Sequence, residues 1–153
     1  MAELGEPAGH VPSAVRRWLE RWPPGDLPHG AAGAAVTIVL REGRRDVEVL
    51  LIERSVRDGD IASGQVALPG GRADDADESM RATALRELHE EVGLGPADLV
   101  GTLGLVGVEE ASLFNMHVAV YSAALGPSPG PRAADPHEVA HVFWLPVTAL
   151  DTV

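Results

Sequence analysis

The feature that most constrains this chain is a short run of acidic residues that is predicted to lie on a helix. Glu87, Glu90 and Glu91 stand at positions i, i+3 and i+4, so a helix brings their carboxylates to one face. Apolar side chains at helical spacing project to another side, at Leu85, Leu88 and Val92. We therefore expect a helix that packs its apolar side on a sheet and leaves its carboxylates in solvent, where they suit a hard divalent cation.

The flanking sequence predicts a second helix and several strands. Ser13 is expected to cap a terminal helix that packs on the core through its tryptophans, and Pro23 and Pro24 end it. Apolar runs and alternating patterns predict strands at 34–40, 47–54, 99–108, 114–125 and 138–147. The chain stops at Val153, just as VTAL begins what reads as a helix, which leaves open a continuation past this residue.

Composition excludes several classes of partner. The chain has 153 residues, which suits one domain, and no apolar run is long enough to cross a bilayer. It has no cysteine, so a metal has to be held by oxygen or histidine. A formal net charge of −11 argues against a nucleic-acid polymer but allows a small phosphorylated ligand. The first residues lack a secretion signal, so we expect a cytoplasmic protein with no membrane partner.

At the acidic helix the sequence resembles a known family. The run Arg86-Glu87-Leu88-x-Glu90-Glu91-x-Gly93-Leu94 resembles the second half of the Nudix box, GX5EX7REUXEEXGU, in which U is a bulky aliphatic residue. Glu78 falls where the first glutamate stands. The pattern would place its glycine at Arg72, whereas the chain offers Gly70 and Gly71, so the loop is one residue longer than the consensus.

The resemblance implies a fold and a metal site. It implies an α/β fold, the Nudix α/β/α sandwich with a mixed sheet, over residues 30–153, after an N-terminal segment, 1–29, that carries the short helix. It also implies Mg²⁺ or Mn²⁺ held by Glu87, Glu90, Glu91 and a main-chain oxygen near Gly71. A salt bridge between Arg86 and Glu78 is expected to brace the loop and the helix.

The resemblance further implies hydrolysis of a diphosphate, with a carboxylate accepting a proton from the attacking water. Glu90 and Glu91 are candidates within the box. Glu109 and Glu110, expected between two strands, are candidates outside it, and a solvated turn explains them equally well. The nearby acids Asp74, Asp75 and Asp77 are read more simply as a charged loop.

The segment before the box is similar to the coenzyme A diphosphatase branch of the family. LLIERS and GQVALPGG resemble its signature, LLTxR[SA]xxxRxxxGxxx(F)PGG, but the second arginine of that signature falls on Asp60, and Leu68 stands in place of the phenylalanine. Arg57 is a candidate replacement from the same loop. Arg54 and Arg72 are the other candidate cations for substrate phosphates, with surface solvation as the alternative.

The resulting hypothesis is a metal-dependent hydrolase that acts on coenzyme A or an acyl derivative. Two alternatives stay open. One is a pyrophosphatase for ADP-ribose or another dinucleotide, and the other is a non-catalytic nucleotide sensor that keeps the Nudix fold. The family also implies a possible homodimer, although the sequence indicates no interface.

Overall fold

The computed structural model describes residues 11–112 and 115–152. Its helices are α1 (Ser13–Glu20) and α2 (Met80–Val92). Its strands are β1 (Ala34–Glu42), β2 (Val47–Arg54), β3 (Val66–Ala67), β4 (Gly70–Arg72), β5 (Leu99–Ala111), β6 (Met116–Leu125) and β7 (Val139–Pro146). Short 3-10 turns lie at Pro96–Asp98 and Val147–Thr152. The five predicted strands are all present, although the start of the fourth, Phe114, lies outside the described residues.

The strands form one mixed sheet. Its order is β3-β2-β1-β6-β5, with β4 paired to β1 and β7 paired to β2. Strands β1 and β6 run parallel, from the pair Ala34 and Val118 to the pair Leu40 and Ala124, and the other pairings are antiparallel. The expected mixed sheet is therefore confirmed. Its parallel centre, β1 and β6, is covered by other parts of the chain on both faces of the sheet.

Helix α2 packs on one face of the sheet through an apolar stripe. Met80, Ala84, Leu88 and Val92 recur at every fourth position and are at most 1% exposed. They meet the side chains of β1, β2 and β6 that alternate toward the same face, among them Ala35, Val39, Leu50, Ile52 and Ala119. Alanine at two of these strand positions allows the helix to approach closely. The stripe thus fixes which residues of α2 turn toward β4.

Helix α1 covers the opposite face. Val15 is 1% exposed and packs with Leu40, Val47 and Val49, the strand residues that alternate away from α2. The α/β/α layering is therefore confirmed. The predicted cap is wrong: Ser13 is the first helical residue, the capping position is Pro12, and no side chain caps this end. No helix among the described residues is long and apolar enough to cross a membrane.

The segment between α1 and β1 is fastened to the start of α2. The carboxylate oxygen Oδ1 of Asp26 accepts hydrogen bonds from the Arg81 amide and the Tyr121 hydroxyl, each at 3.0 Å. Leu27 accepts a backbone bond from Met80 N at 2.9 Å, and the Arg81 guanidinium donates to Gly25 O at 2.8 Å. These bonds hold the first turn of α2 against β6.

Candidate active site

Both ends of α2 are fixed by local sequence. The Ser79 hydroxyl accepts a hydrogen bond from Ala82 N at 3.2 Å, which caps the first turn. Gly93 adopts a left-handed conformation, with φ of 74°, and donates to His89 O at the last turn. Because the helix cannot shift along its axis without losing these caps, the acidic residues of its second half have defined positions.

The carboxylates of Glu87 and Glu91 are buried, which corrects the expectation that the acids stay in solvent. Glu87 is 8% exposed and Glu91 is 1% exposed, whereas the side chain of Glu90 is 51% exposed. The reason is geometric: Glu87 and Glu91 lie one turn apart, directly beside the apolar stripe, and face β4. Burial raises the pKa of Glu91 to about 8 and also raises that of Glu87, although the Arg86 charge opposes the second shift.

The paired glycines bring the backbone of β4 against these carboxylates. Gly70 N donates to Glu91 Oε1 at 2.7 Å. A Cβ atom on Gly71 would lie 2.6 Å from Glu87 Oε1, and a Cβ atom on Gly70 would lie 2.6 Å from the Val36 Cα atom of β1. Each glycine therefore leaves room for a different neighbour, Gly70 for the sheet and Gly71 for a carboxylate.

Because the two glycines face different neighbours, we expect an alanine at one of them to affect mainly stability and an alanine at the other to affect mainly metal binding. Gly70→Ala collides with backbone, so we expect it to lower the free energy of unfolding by about 2 kcal/mol. Gly71→Ala collides with the movable end of Glu87, so we expect at most about 1 kcal/mol of destabilisation but roughly tenfold weaker Mn²⁺ binding. Urea unfolding and titration calorimetry measure the two quantities. Equal loss of stability in both variants would contradict this assignment.

Arg86 braces the loop to the helix, but its partner is not the expected one. Its guanidinium makes two parallel bonds to Asp77, Nε to Oδ1 at 2.9 Å and Nη2 to Oδ2 at 3.0 Å, and Nη2 also donates to Arg72 O at 3.0 Å. Asp77 is 7% exposed and accepts a further bond from the Thr83 hydroxyl. Glu78 is exposed and makes no ion pair with any residue that the structure describes. The predicted salt bridge between Arg86 and Glu78 is therefore wrong.

The spacing of the motif explains the error. Counting back from Arg86 selects Glu78, but counting forward from Gly71 over five residues selects Asp77. The extra residue of this chain thus lies between the acid and the helix, and the glycine-to-acid spacing of the box is kept. Reading Asp77 as part of a solvated charged loop was also wrong, because the hydrogen bonds of Arg86 hold the pKa of Asp77 far below its usual range.

The remaining carboxylates of the sequence prediction lie at different places. Glu90 is on the outer side of α2 and is joined to Glu87 through Arg86, whose Nη1 atom lies 3.0 Å from Glu87 Oε1 and 3.1 Å from Glu90 Oε2. Glu109 and Glu110 are exposed and lie within β5, opposite Val118 and His117. The expectation that these two residues lie between strands was wrong, because β5 continues to Ala111.

Of the three predicted arginines, Arg54 acts on a buried carboxylate, and Arg57 pairs with the half-exposed side chain of Glu138. Arg54, at the end of β2, pairs with Asp60 at 3.2 Å, and its positive charge opposes the raised pKa of Glu91, whose main cause is burial. Arg57 is in the loop 55–65, which we call the arginine loop. Its Nη1 atom lies 3.7 Å from Glu138 Oε1. The Arg72 side chain is exposed at the end of β4.

Glu138 is a member of the site that the sequence reasoning did not assign. It is supplied by the loop 131–138, which we call the Glu138 loop, just before β7. Burial is the main cause of the raised pKa values of Glu87 and Glu91, and the contacts of Arg86 with Glu87 and of Gly70 with Glu91 oppose it. The negative charge of Glu138 is a smaller cause that raises both pKa values. Nothing in the box points to it, because the two segments are distant in sequence and meet only through the fold.

The chemistry of these residues fits a divalent cation. Among residues 11–112 and 115–152, no three histidine, aspartate or glutamate side chains already converge as a metal site. However, the positive charge of the Arg86 guanidinium lies between Glu87 and Glu90. Two neighbouring buried carboxylates, here Glu87 and Glu91, destabilise the fold unless a positive charge lies close to them. Oxygen ligands and excess negative charge are what Mg²⁺ and Mn²⁺ prefer, so Glu87, Glu90 and Glu91 would hold such an ion.

The raised pKa of Glu91 makes the metal-free protein sensitive to base. The unfolded carboxyl group loses its proton near pH 4.5, while the folded one keeps it until about pH 8, so stability is fully present below the first value and lost toward the second. We expect urea unfolding in EDTA to show stability falling from pH 5 to pH 8. The fall should be clearly smaller in Glu91→Gln, and an identical slope in that variant would contradict the shift.

Comparison with known proteins agrees with this architecture. The model of the NUDIX domain matches residues 31–153. The Nudix hydrolase NudL of Yersinia pestis (strain Pestoides F), described as uncharacterized, is 41% identical over 86 residues, which is 56% of this chain and 41% of the relative. The same figures hold for NudL of Yersinia pseudotuberculosis serotype O:1b (strain IP 31758). The chain thus spans about two-fifths of the length of the curated relatives that it matches.

Solved structures show the same fold at low sequence identity. The C. elegans Ap4A hydrolase, in a binary complex, gives a TM-score of 0.62 at 18% identity, over 78% of this chain and 84% of that chain. The NUDIX domain of Shewanella oneidensis NrtR, complexed with ADP ribose, gives 0.62 at 20% identity, over 90% and 86%. The fold and the site together define an α/β domain whose acidic helix packs against the paired glycines of the short strand β4. The chain belongs to the Nudix family.

Proposed function

We propose that this protein is a pyrophosphohydrolase that depends on a divalent metal and cleaves the diphosphate of a nucleoside diphosphate derivative. The observation that carries the proposal is the buried pair Glu87 and Glu91 beside Gly70 and Gly71 of β4, with the positive charge of Arg54 acting on Glu91. A domain that bound nucleotides without catalysis would gain nothing from two buried carboxylates, whose desolvation weakens the fold.

The residues divide the work of such a reaction. When bound, the divalent cation supplies positive charge to the diphosphate and lowers the pKa of a water molecule. Glu87 and Glu91 would hold this cation, and Arg86 keeps Glu87 and Glu90 in place while Asp77 holds Arg86. Arg54 and Arg57 would bind phosphate oxygens, and Arg72 would assist from β4.

The proton of the attacking water needs a carboxylate acceptor. Glu90 suits this role among the box residues because its side chain is half-exposed next to the buried pair, and Glu91 is the alternative. Glu109 and Glu110 stay candidates from β5. Rate measurements on Glu→Gln variants at these four positions, compared over pH, distinguish them: loss of the acidic limb of the profile identifies the base.

For the substrate, we propose coenzyme A or an acyl derivative. The support is the sequence of β2 and of the segment that leads to Gly70 and Gly71 of β4. Where the branch signature has its second arginine, Asp60 pairs with Arg54, which leaves Arg57 as the cation of the arginine loop that can replace the missing side chain. ADP-ribose or another dinucleotide is the second candidate, favoured by the two structural neighbours, one an Ap4A hydrolase and one bound to ADP ribose.

A product-resolved assay tests both levels of the proposal. Coenzyme A, acyl derivatives, ADP-ribose, NADH, dinucleoside polyphosphates and nucleoside triphosphates are each incubated with Mg²⁺ or Mn²⁺, and products are separated by chromatography. We expect adenosine 3′,5′-bisphosphate and a phosphopantetheine from coenzyme A. Turnover of ADP-ribose or dinucleotides alone would transfer the proposal to the second candidate. Tight nucleotide binding without turnover of any compound would favour a sensor.

Two further predictions accompany this proposal. A cytoplasmic location is expected from the sequence, and the resemblance to the family leaves a homodimer open. Fractionation of the source cells tests the first, and light scattering of the purified protein tests the second.

A further inference from the structure

The Glu138 loop is fixed on both sides of the site. Two of its amides donate to the last turn of α2, Arg132 N to Val92 O and Ala134 N to Glu91 O, each at 3.0 Å. On the other side, Ser55 of the arginine loop donates its amide to Glu138 O at 2.9 Å and its hydroxyl to Pro136 O at 2.8 Å. The backbone of Glu138 is therefore held between the acidic helix and the arginine loop.

From this position the Glu138 carboxylate faces charges of both signs. Ala134 N of the same loop donates to the Glu91 backbone oxygen at 3.0 Å, so the Glu138 carboxylate lies at the end of α2 that carries Glu87 and Glu91. Its Oε1 atom also lies 3.7 Å from the Arg57 guanidinium. Glu138 is thus shared between the carboxylates that would hold a cation and an arginine that would hold phosphate.

The contact with Arg57 is one that the protein can break at low cost. The side chains are 52% and 44% exposed, and 3.7 Å is long for a charge-assisted bond. Arg57 has a fixed backbone, because its amide donates to Ser63 Oγ at 2.6 Å, so a change of side-chain rotamer is sufficient to redirect the guanidinium. Within the described part of the chain, Arg57 makes no other ion pair.

Arg54 provides the contrast. It pairs with Asp60 at 3.2 Å, with side chains 28% and 23% exposed, and Asp60 is itself fixed by accepting from Ala62 N at 2.9 Å. Asp60 has no part in the buried carboxylate cluster. A cation that binds at Glu87 and Glu91 therefore competes with Arg57 for Glu138, whereas Asp60 keeps Arg54 as its partner.

We propose that Glu138 forms an ion pair with Arg57 in the metal-free enzyme, and that this pair breaks when a divalent cation binds beside Glu87 and Glu91. The inference rests on the proposed function, because it assumes that the cation and a diphosphate meet at this site. Cation binding gives Glu138 a stronger partner, and Arg57 is then free for a phosphate oxygen. Glu138 is in this sense a positioning residue, and metal and diphosphate binding favour each other through it.

Nucleotide binding without metal tests the release directly. ADP is titrated in EDTA into the wild type, Glu138→Gln, Arg57→Gln and the double variant, which has the same net charge as the wild type. We expect Glu138→Gln to bind ADP about three- to fivefold more tightly than the wild type. The gain should vanish when Arg57→Gln is added. Glu42→Gln, at the exposed end of β1, is the matched control and should bind ADP as the wild type does.

Mn²⁺ binding to the nucleotide-free protein gives the reciprocal measurement, by electron paramagnetic resonance. Removing the competitor in Arg57→Gln should tighten Mn²⁺ binding about three- to fivefold, and this gain should be absent in the Glu138→Gln background. The inference is overturned if Glu138→Gln binds ADP no more tightly in EDTA, or if the gain survives the loss of Arg57. If the wild type turns over diphosphates normally and either of these results is found, the coupling through Glu138 is refuted and the proposed function is kept. Absence of turnover in the wild type would refute the proposed function instead.

Discussion

Glu91→Gln is expected to lower metal-dependent diphosphate hydrolysis by about a hundredfold or more while leaving the fold intact. The substitution removes a charge that the cation needs. It preserves the shape of the buried side chain, and the amide oxygen can still accept the hydrogen bond from Gly70 N. Because the pKa of Glu91 is about 8, the wild-type side chain is mostly neutral in the metal-free protein at pH 7, and glutamine resembles that neutral form.

The measurement is kcat with a saturating cation, together with Mn²⁺ affinity and urea unfolding in EDTA. We expect the first two to fall and the third to stay equal or rise at pH 8. Glu20→Gln, the same substitution at an exposed residue of α1, serves as the control. A folded Glu91→Gln variant with wild-type turnover would remove Glu91 from the site.

Asp77→Ala is expected to lower the free energy of unfolding by about 3 kcal/mol, because it leaves the Arg86 guanidinium without its bidentate partner in a mostly buried place. For a chain of this length, that loss corresponds to a Tm decrease of about 6 to 12 °C. The substitution also frees the Thr83 hydroxyl and the Asp74 amide, which both donate to Asp77 at 2.8 Å.

The adjacent variant Glu78→Ala supplies the control for this experiment. Its side chain is exposed, so we expect a change within about 0.5 kcal/mol. Thermal unfolding of both variants in EDTA gives the comparison. If Glu78→Ala proves the more destabilising of the two, the brace belongs to Glu78, as the motif spacing first indicated.

The fold was predictable to the extent that periodicity reports which side of an element is buried. Alternation located the five long strands, and Leu88 and Val92 identified the buried side of α2. The two short strands β3 and β4 escaped prediction because two or three residues carry no period. The burial of Glu87 and Glu91 also escaped it, because composition alone assigns a carboxylate to solvent.

The site was predictable only where it is local in sequence. The box placed Glu87, Glu90 and Glu91 on one helix, and β2 supplied Arg54. Asp77 was missed because the length of the segment between the acid and α2 can change without altering either end. Glu138 was missed for a different reason: its position depends on how the loop before β7 bonds to α2, and no local pattern encodes such a contact.

The bonds of Asp26 have a consequence for where this domain can be divided. The family match begins at residue 31, yet Asp26, on the other side of that boundary, accepts hydrogen bonds from the first turn of α2 and from Tyr121 of β6. A chain cut at residue 31 would keep every residue of the box and lose the anchor of the helix that carries it. Residues 25–28 therefore belong to the same cooperative unit as the metal-binding helix, and a fragment chosen by sequence similarity alone would begin inside that unit.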